Sequence, residues 1–112
     1  MHSHLRLLLF CAAVFALGAM LLSSFAFSQD SAADLYKAKC SSCHGADGKG
    51  DTAVGKKLGV KAFSDPEVAK NSDQAWFETT KKGKGKMPAY DGKLTDPQIN
   101  DLVKFMRSLA KK

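Results

Sequence analysis

Cys40-Ser41-Ser42-Cys43-His44 places two thiols three positions apart, with an imidazole directly after the second. The pattern suits covalent haem attachment. Each thiol can form a thioether with one of the two vinyl groups of a haem, and the next residue, His44, then lies where it can coordinate the iron from the proximal side. Other chemistries compete for the same residues. A structural zinc site needs four ligands, and this stretch offers three; the other histidines, His2 and His4, sit at the far N-terminus. A thiol–disulfide centre wants C-x-x-C between a strand and a helix, whereas a helical pattern precedes this one and no alternating strand pattern is found. A short disulfide would leave His44 without a role. Haem attachment uses all three residues.

A sixth ligand for such an iron must come from elsewhere in the chain. Beyond the N-terminal segment there are two methionines, Met87 and Met106. Met106 falls on the apolar stripe of the last helical segment and reads as core. Met87 lies in the loop Gly83-Lys84-Gly85-Lys86-Met87-Pro88, where Pro88 holds the backbone before it extended. A rigidly presented loop methionine is what a distal ligand requires, so Met87 is the expected sixth ligand.

The elements that must position these groups read as helices joined by loops. A first helix runs from about Ala32 into the cysteine motif, capped by Asp30 or Ser31, with Ala32, Leu35 and Tyr36 on its apolar face. Residues 45–59 carry Gly48, Gly50, Gly55 and Gly59 after Gly45 and read as loop. A short helical turn is expected at Asp65–Ala69, with Pro66 at its start. Ser72 caps a middle helix, Asp73 to Lys82, bringing Trp76, Phe77 and Thr80 to one face; Gly83 and Gly85 end it. Thr95-Asp96-Pro97-Gln98 is a capping box, and Ile99, Leu102, Val103, Met106 and Leu109 follow as one apolar stripe. Leu58, Phe63, Trp76, Phe77 and Tyr90 are candidate pocket residues.

Residues 1–28 read differently from the rest. His2, His4 and Arg6 precede an uncharged apolar run from Leu7 to Leu22, and the segment ends at Ala26-Phe27-Ser28. That is the layout of an export signal with cleavage after Ser28. The uncharged stretch Leu7 to Phe27 is also long enough to serve as an uncleaved anchor. In either case residues 29–112, a single domain, leave the cytoplasm, and a periplasmic or equivalent compartment follows. All 11 acidic residues and all but one of the 17 basic ones lie beyond Ser28. This excess is mostly lysine, which in an exported protein argues against nucleic acid and suits an acidic protein partner.

The sequence resembles the class I c-type cytochromes, in particular the small bacterial cytochrome c553/c6-like family, over essentially the whole of residues 29–112. Cys40-Ser41-Ser42-Cys43-His44-Gly45 matches the family's attachment motif, Lys86-Met87-Pro88-Ala89-Tyr90 matches its distal loop, and Tyr36 stands where the family packs an aromatic ring against the C-terminal helix. The resemblance implies an all-α fold of three to four helices around one covalently attached haem c, with first and last helices crossing. It implies a monomeric one-electron carrier, not an enzyme, cycling Fe(II)/Fe(III) between redox protein partners, with membrane association only through an uncleaved N-terminus. It places the distal loop beside the exposed haem edge, so that Lys81, Lys82, Lys84 and Lys86 would form a docking face for an acidic partner. A peroxidase-like haem enzyme or a gas sensor with a labile Met87 is the competing function. Two departures stand out. Ala32 replaces the glycine common at the helix crossing. No proline lies between His44 and Ser64, so the usual carbonyl acceptor for His44 Nδ1–H is missing, and another backbone carbonyl is expected in its place.

Overall fold

In the computed structural model, residues 27–112 are described, together with His4 and Arg6. The N-terminal segment read as a signal or anchor otherwise lies outside the described residues. Among the described residues, six helices follow one another: α1 (Phe27–Lys39), α2 (Ser41–His44), α3 (Ala53–Leu58), α4 (Pro66–Ala69), α5 (Asp73–Lys82) and α6 (Asp96–Ala110). No strand occurs among the described residues; pairing is limited to isolated bridges between Lys84 and Met87 and between Asp91 and Leu94. The all-α expectation therefore holds, with three long helices supplemented by three short ones. Among the described residues, no helix is long and apolar enough to cross a membrane.

Helix α6 is the most completely determined by its own sequence. The Thr95 hydroxyl accepts from Gln98 N at 3.3 Å, and Gln98 Oε1 accepts from Thr95 N at 2.9 Å, so both halves of the capping box form. Its stripe, Ile99, Leu102, Val103, Met106 and Leu109, is buried throughout. These side chains form the core with Tyr36, Phe63, Trp76, Tyr90 and Leu94. The Ser72 side chain caps α5 by accepting from Ala75 N, and α5 packs against α6. Tyr36 links α1 to the same core, its ring 5.2 Å from that of Phe105.

Two expectations about local structure are corrected. Asp30 and Ser31 do not cap α1, because the helix already begins at Phe27. Residues 45–59 are not all loop: Thr52 caps α3, its side chain accepting from Gly55 N. Gly55 lies inside that helix for a tertiary reason. A Cβ there would come within 2.3 Å of the Cys43 carbonyl oxygen and 2.5 Å of the Gly50 carbonyl oxygen. The glycine allows α3 to lie directly on the backbone of the cysteine motif.

A latch joins α4, α5 and α6. Trp76 Nε1 donates to the Val68 carbonyl at 3.2 Å. The Arg107 guanidinium lies 3.8 Å above the Trp76 ring, donates to Asp73 Oδ1 at 2.8 Å and to the Ala69 carbonyl at 3.0 Å, and also reaches the Asn71 carbonyl. One arginine on α6 thereby fixes α4, the start of α5 and the tryptophan between them.

Candidate functional site

The chain turns at Cys40, between α1 and α2. Cys40 N still bonds back to the Tyr36 carbonyl, and His44 N bonds to the Cys40 carbonyl at 3.0 Å. The motif therefore occupies one tight helical turn, which carries Cys43 and His44 close behind Cys40. That turn is held from several sides. Tyr36 Oη donates to the Gly45 carbonyl at 2.6 Å, Gly50 N donates to the His44 carbonyl at 2.8 Å, and the Thr52 hydroxyl donates to the Cys43 carbonyl at 3.2 Å. Tyr90 Oη donates to the Lys39 carbonyl at 2.8 Å, tying the distal loop to the end of α1.

Both cysteines are free of disulfides and half-buried. Burial pushes the Cys40 thiol up to about 11, which keeps it protonated; Lys39 opposes the shift and Cys43 adds to it. Burial also lowers the pKa of His44, favouring the neutral imidazole, the form that binds a metal. The His44 ring stacks on Phe63, with centroids 4.8 Å apart and planes at 19°. Its Nδ1 is buried without a hydrogen-bond partner. The carbonyl expected to replace the missing proline's is thus not in place. Among the described residues, no group of three or more His, Cys, Asp or Glu side chains converges to chelate a metal ion, so Cys40, Cys43 and His44 lack the closed geometry of a zinc site.

The distal loop is a small hairpin. Lys84 N donates to the Met87 carbonyl at 3.1 Å, and Met87 N donates to the Lys84 carbonyl at 3.0 Å. Gly83, at φ 74°, permits the turn: a Cβ there would lie 2.7 Å from the Met87 carbonyl oxygen and 2.8 Å from Ala89 N. These bonds, with Tyr90 N donating to the Thr80 and Lys81 carbonyls, fix the position from which Met87 extends.

Cys40, Cys43, His44 and Met87 all line one cavity of about 540 Å³. A second lobe of about 230 Å³ shares His44, Phe63, Val68, Thr79, Lys84 and Met87 with it but is not lined by either cysteine. The walls are mostly apolar, formed by Leu58, Val60, Phe63, Val68, Trp76, Pro88 and Tyr90. Of the five candidate pocket residues, Leu58, Phe63, Trp76 and Tyr90 lie on these walls. Phe77 lies on neither; it packs against the core, with Lys81 Nζ 5.7 Å from its ring centre. Val60, Val68 and Thr79 were not singled out from the sequence. Thr79 sits one turn after Ala75 on the face of α5 that Trp76 and Thr80 share, and that spacing was the available signal. Met106, read as core, is buried in the core and also lines the second lobe.

The lysines before Met87 separate into two groups. Lys81 Nζ pairs with Asp96 at 2.9 Å and Lys82 Nζ with Glu78 at 2.7 Å. Lys84 and Lys86 line the cavity mouth, together with Lys39 and Lys61. Of the four lysines between Thr80 and Met87, two are therefore ion-paired and two lie at the cavity.

A two-thiol, one-imidazole turn facing a methionine across an apolar cavity fits a covalently held haem. Residues 28–106 match the family model described as "Cytochrome C oxidase, cbb3-type, subunit III". The chain is 32% identical over 83 residues to cytochrome c6 of Gracilaria tenuistipitata var. liui, covering 74% of each chain. It is 31% identical over 80 residues to cytochrome c6 of Parathermosynechococcus lividus, covering 71% of this chain and 88% of the relative. Among solved structures it is similar to the KustC0563 c-type cytochrome, with a TM-score of 0.63 at 35% identity, covering 69% of this chain and 94% of the other.

Proposed function

The chain belongs to the small class I c-type cytochromes, of the c6/c553-like kind, and from that premise we propose that it carries single electrons between redox proteins on one haem c bound through Cys40 and Cys43. The observation that carries the reading is the meeting of Cys40, Cys43, His44 and Met87 on one apolar cavity. His44 serves as the proximal ligand and Met87 as the distal one. A haem held by His44 and Met87 would supply reversible Fe(III)/Fe(II) chemistry, and with both side chains engaged it would have little affinity for small ligands. A thioether ligand and an apolar surround both favour the ferrous state and raise the potential.

The chain's own residues do the rest. Tyr36, Thr52 and Gly50 hold the attachment turn by its carbonyls. The Lys84–Met87 hairpin keeps the thioether aimed inward. Apolar walls exclude water, which keeps the charge change on the iron poorly solvated and restricts access to it. Lys39, Lys61, Lys84 and Lys86 at the mouth supply positive charge for steering an acidic partner to the site of electron exit. Residues 29–112 form the working domain, exported by residues 1–28 to the periplasm or an equivalent compartment, and acting as a monomer.

The test is to purify the protein from a host that attaches haem c and count haem per chain. One covalent haem, a reversible one-electron couple and no carbon monoxide binding to the reduced form are expected. Rapid carbon monoxide binding would instead support a gas-reactive site with a labile Met87, and absence of covalent haem would overturn the reading.

A further inference from the structure

A histidine that binds a metal through one ring nitrogen is ordinarily oriented through the other, whose N–H donates to a carbonyl, a carboxylate or water. His44 has no such anchor in the protein: its Nδ1 is buried, and no group accepts from it. Rotation about the Cβ–Cγ bond of a histidine is a broad torsion that does not fix the ring by itself. The plane of this imidazole must be held by something other than a hydrogen bond.

Phe63 lies against its face. The two rings are stacked, with centroids 4.8 Å apart and planes 19° from parallel. Phe63 is itself held from several sides. Its N–H donates to the Gly48 carbonyl at 2.9 Å, and its ring packs so close to Gly48 that a Cβ there would come within 2.5 Å of Cδ2. Tyr36 meets the ring edge-on at 6.3 Å, and Trp76 lies at 5.3 Å, tilted by 39°. The indole is pinned in turn by its N–H on the Val68 carbonyl and by the Arg107 guanidinium 3.8 Å from its ring centre. Arg107 is locked by Asp73 and the Ala69 carbonyl. Guanidinium, indole, phenyl and imidazole thus follow one another from α6 to the cavity, where His44, Phe63 and Trp76 line the same lobe.

We infer that Phe63 is the positioning residue for the proximal ligand, fixing the plane of the His44 imidazole by stacking in place of a hydrogen bond to Nδ1, with Trp76 and Arg107 holding Phe63 in register. The inference rests on the haem reading above. The orientation of an axial imidazole sets its overlap with the iron d orbitals, so this stack would set the magnetic anisotropy of the ferric haem. A Phe63 that only filled the core would affect stability and leave that anisotropy alone.

The experiment is electron paramagnetic resonance of the ferric, haem-loaded protein, with proton NMR of its haem methyl groups, after haem per chain has been counted. Both spectra depend on the orientation of the axial imidazole. Wild type should give one sharp low-spin signal. Phe63→Leu keeps an apolar side chain but has no ring to stack, so it should shift or broaden the largest g value and change the spread of the methyl shifts. Arg107→Gln, at a side chain 22% exposed, should move both spectra the same way by less. Thr95→Ala weakens α6 at the end away from Arg107 and touches no member of the stack, so it should leave both unchanged. Wild-type spectra from Phe63→Leu, or a change in Thr95→Ala as large as that in Arg107→Gln, would overturn the inference while leaving the carrier function standing. So would a scalar coupling across a hydrogen bond from His44 Nδ1–H to a backbone carbonyl carbon. Absence of covalent haem in the wild type would overturn both.

Discussion

Replacing Gly55 with alanine should destabilise the haem-loaded protein by about 2 kcal/mol, the reverse of what that exchange does at an ordinary helical position. In an exposed helix alanine is favoured over glycine by about 1 kcal/mol. At Gly55 the added Cβ would lie 2.3 Å from the Cys43 carbonyl oxygen, 2.5 Å from the Gly50 carbonyl oxygen and 2.9 Å from Thr52 Oγ1. The two shortest contacts are to backbone, which cannot rotate away, so α3 must lift off the attachment turn. Overpacking of this kind costs roughly 1–3 kcal/mol, and rigid neighbours place it near the upper end. Subtracting the propensity gain leaves about 2 kcal/mol. Urea unfolding followed by haem absorbance and circular dichroism measures it as a lower midpoint at unchanged slope. Gly59→Ala is the comparison: a Cβ there meets nothing within 4 Å, but φ is 69°, so only the left-handed backbone cost of about 1 kcal/mol applies. A Gly55→Ala protein as stable as wild type, or one that loses less than Gly59→Ala, would refute the close approach.

Tyr36→Phe should cost about 1 kcal/mol, because it removes the 2.6 Å bond to the Gly45 carbonyl while Gly48 N still bonds to that oxygen; thermal unfolding measures the loss. Thr95→Ala should cost a similar amount, about 1 kcal/mol, through loss of the capping box, read as a lower denaturation midpoint with an unchanged haem spectrum. Lys86→Gln should slow electron transfer to an acidic partner at low salt and weaken its salt dependence, whereas Lys81→Gln, already paired with Asp96, should change the rate little. Stopped-flow mixing at several ionic strengths distinguishes them, and equal effects from the two would contradict the division of the lysines.

The parts of the fold legible in the sequence were those fixed by neighbouring residues. The capping box at Thr95 and Gln98 and the stripe from Ile99 to Leu109 are local patterns, and α6 follows them. The Ser72 cap and the Pro66 start are equally local. What was not legible depends on residues distant in sequence. Gly55 looks like a helix breaker until the Cys43 carbonyl is found against it. Lys81 looks free until α6 brings Asp96 alongside. Phe77 and Thr79 are two residues apart on α5, and only the packing of that helix decides that Thr79 lines the cavity and Phe77 does not. The proposed site was legible in its attachment motif, because C-x-x-C-H is contiguous. Met87 required a judgement between two methionines, and both turn out to line the cavity.

That last point makes the choice of distal ligand the most direct test of the account. Ferric wild-type protein should show the weak far-red absorption of a sulfur–iron bond. Met87→Ala should abolish the band and open the reduced iron to carbon monoxide, while Met106→Ala should keep the band and only lower stability through the cavity it leaves. A band that survives in Met87→Ala and disappears in Met106→Ala would contradict the account at its centre.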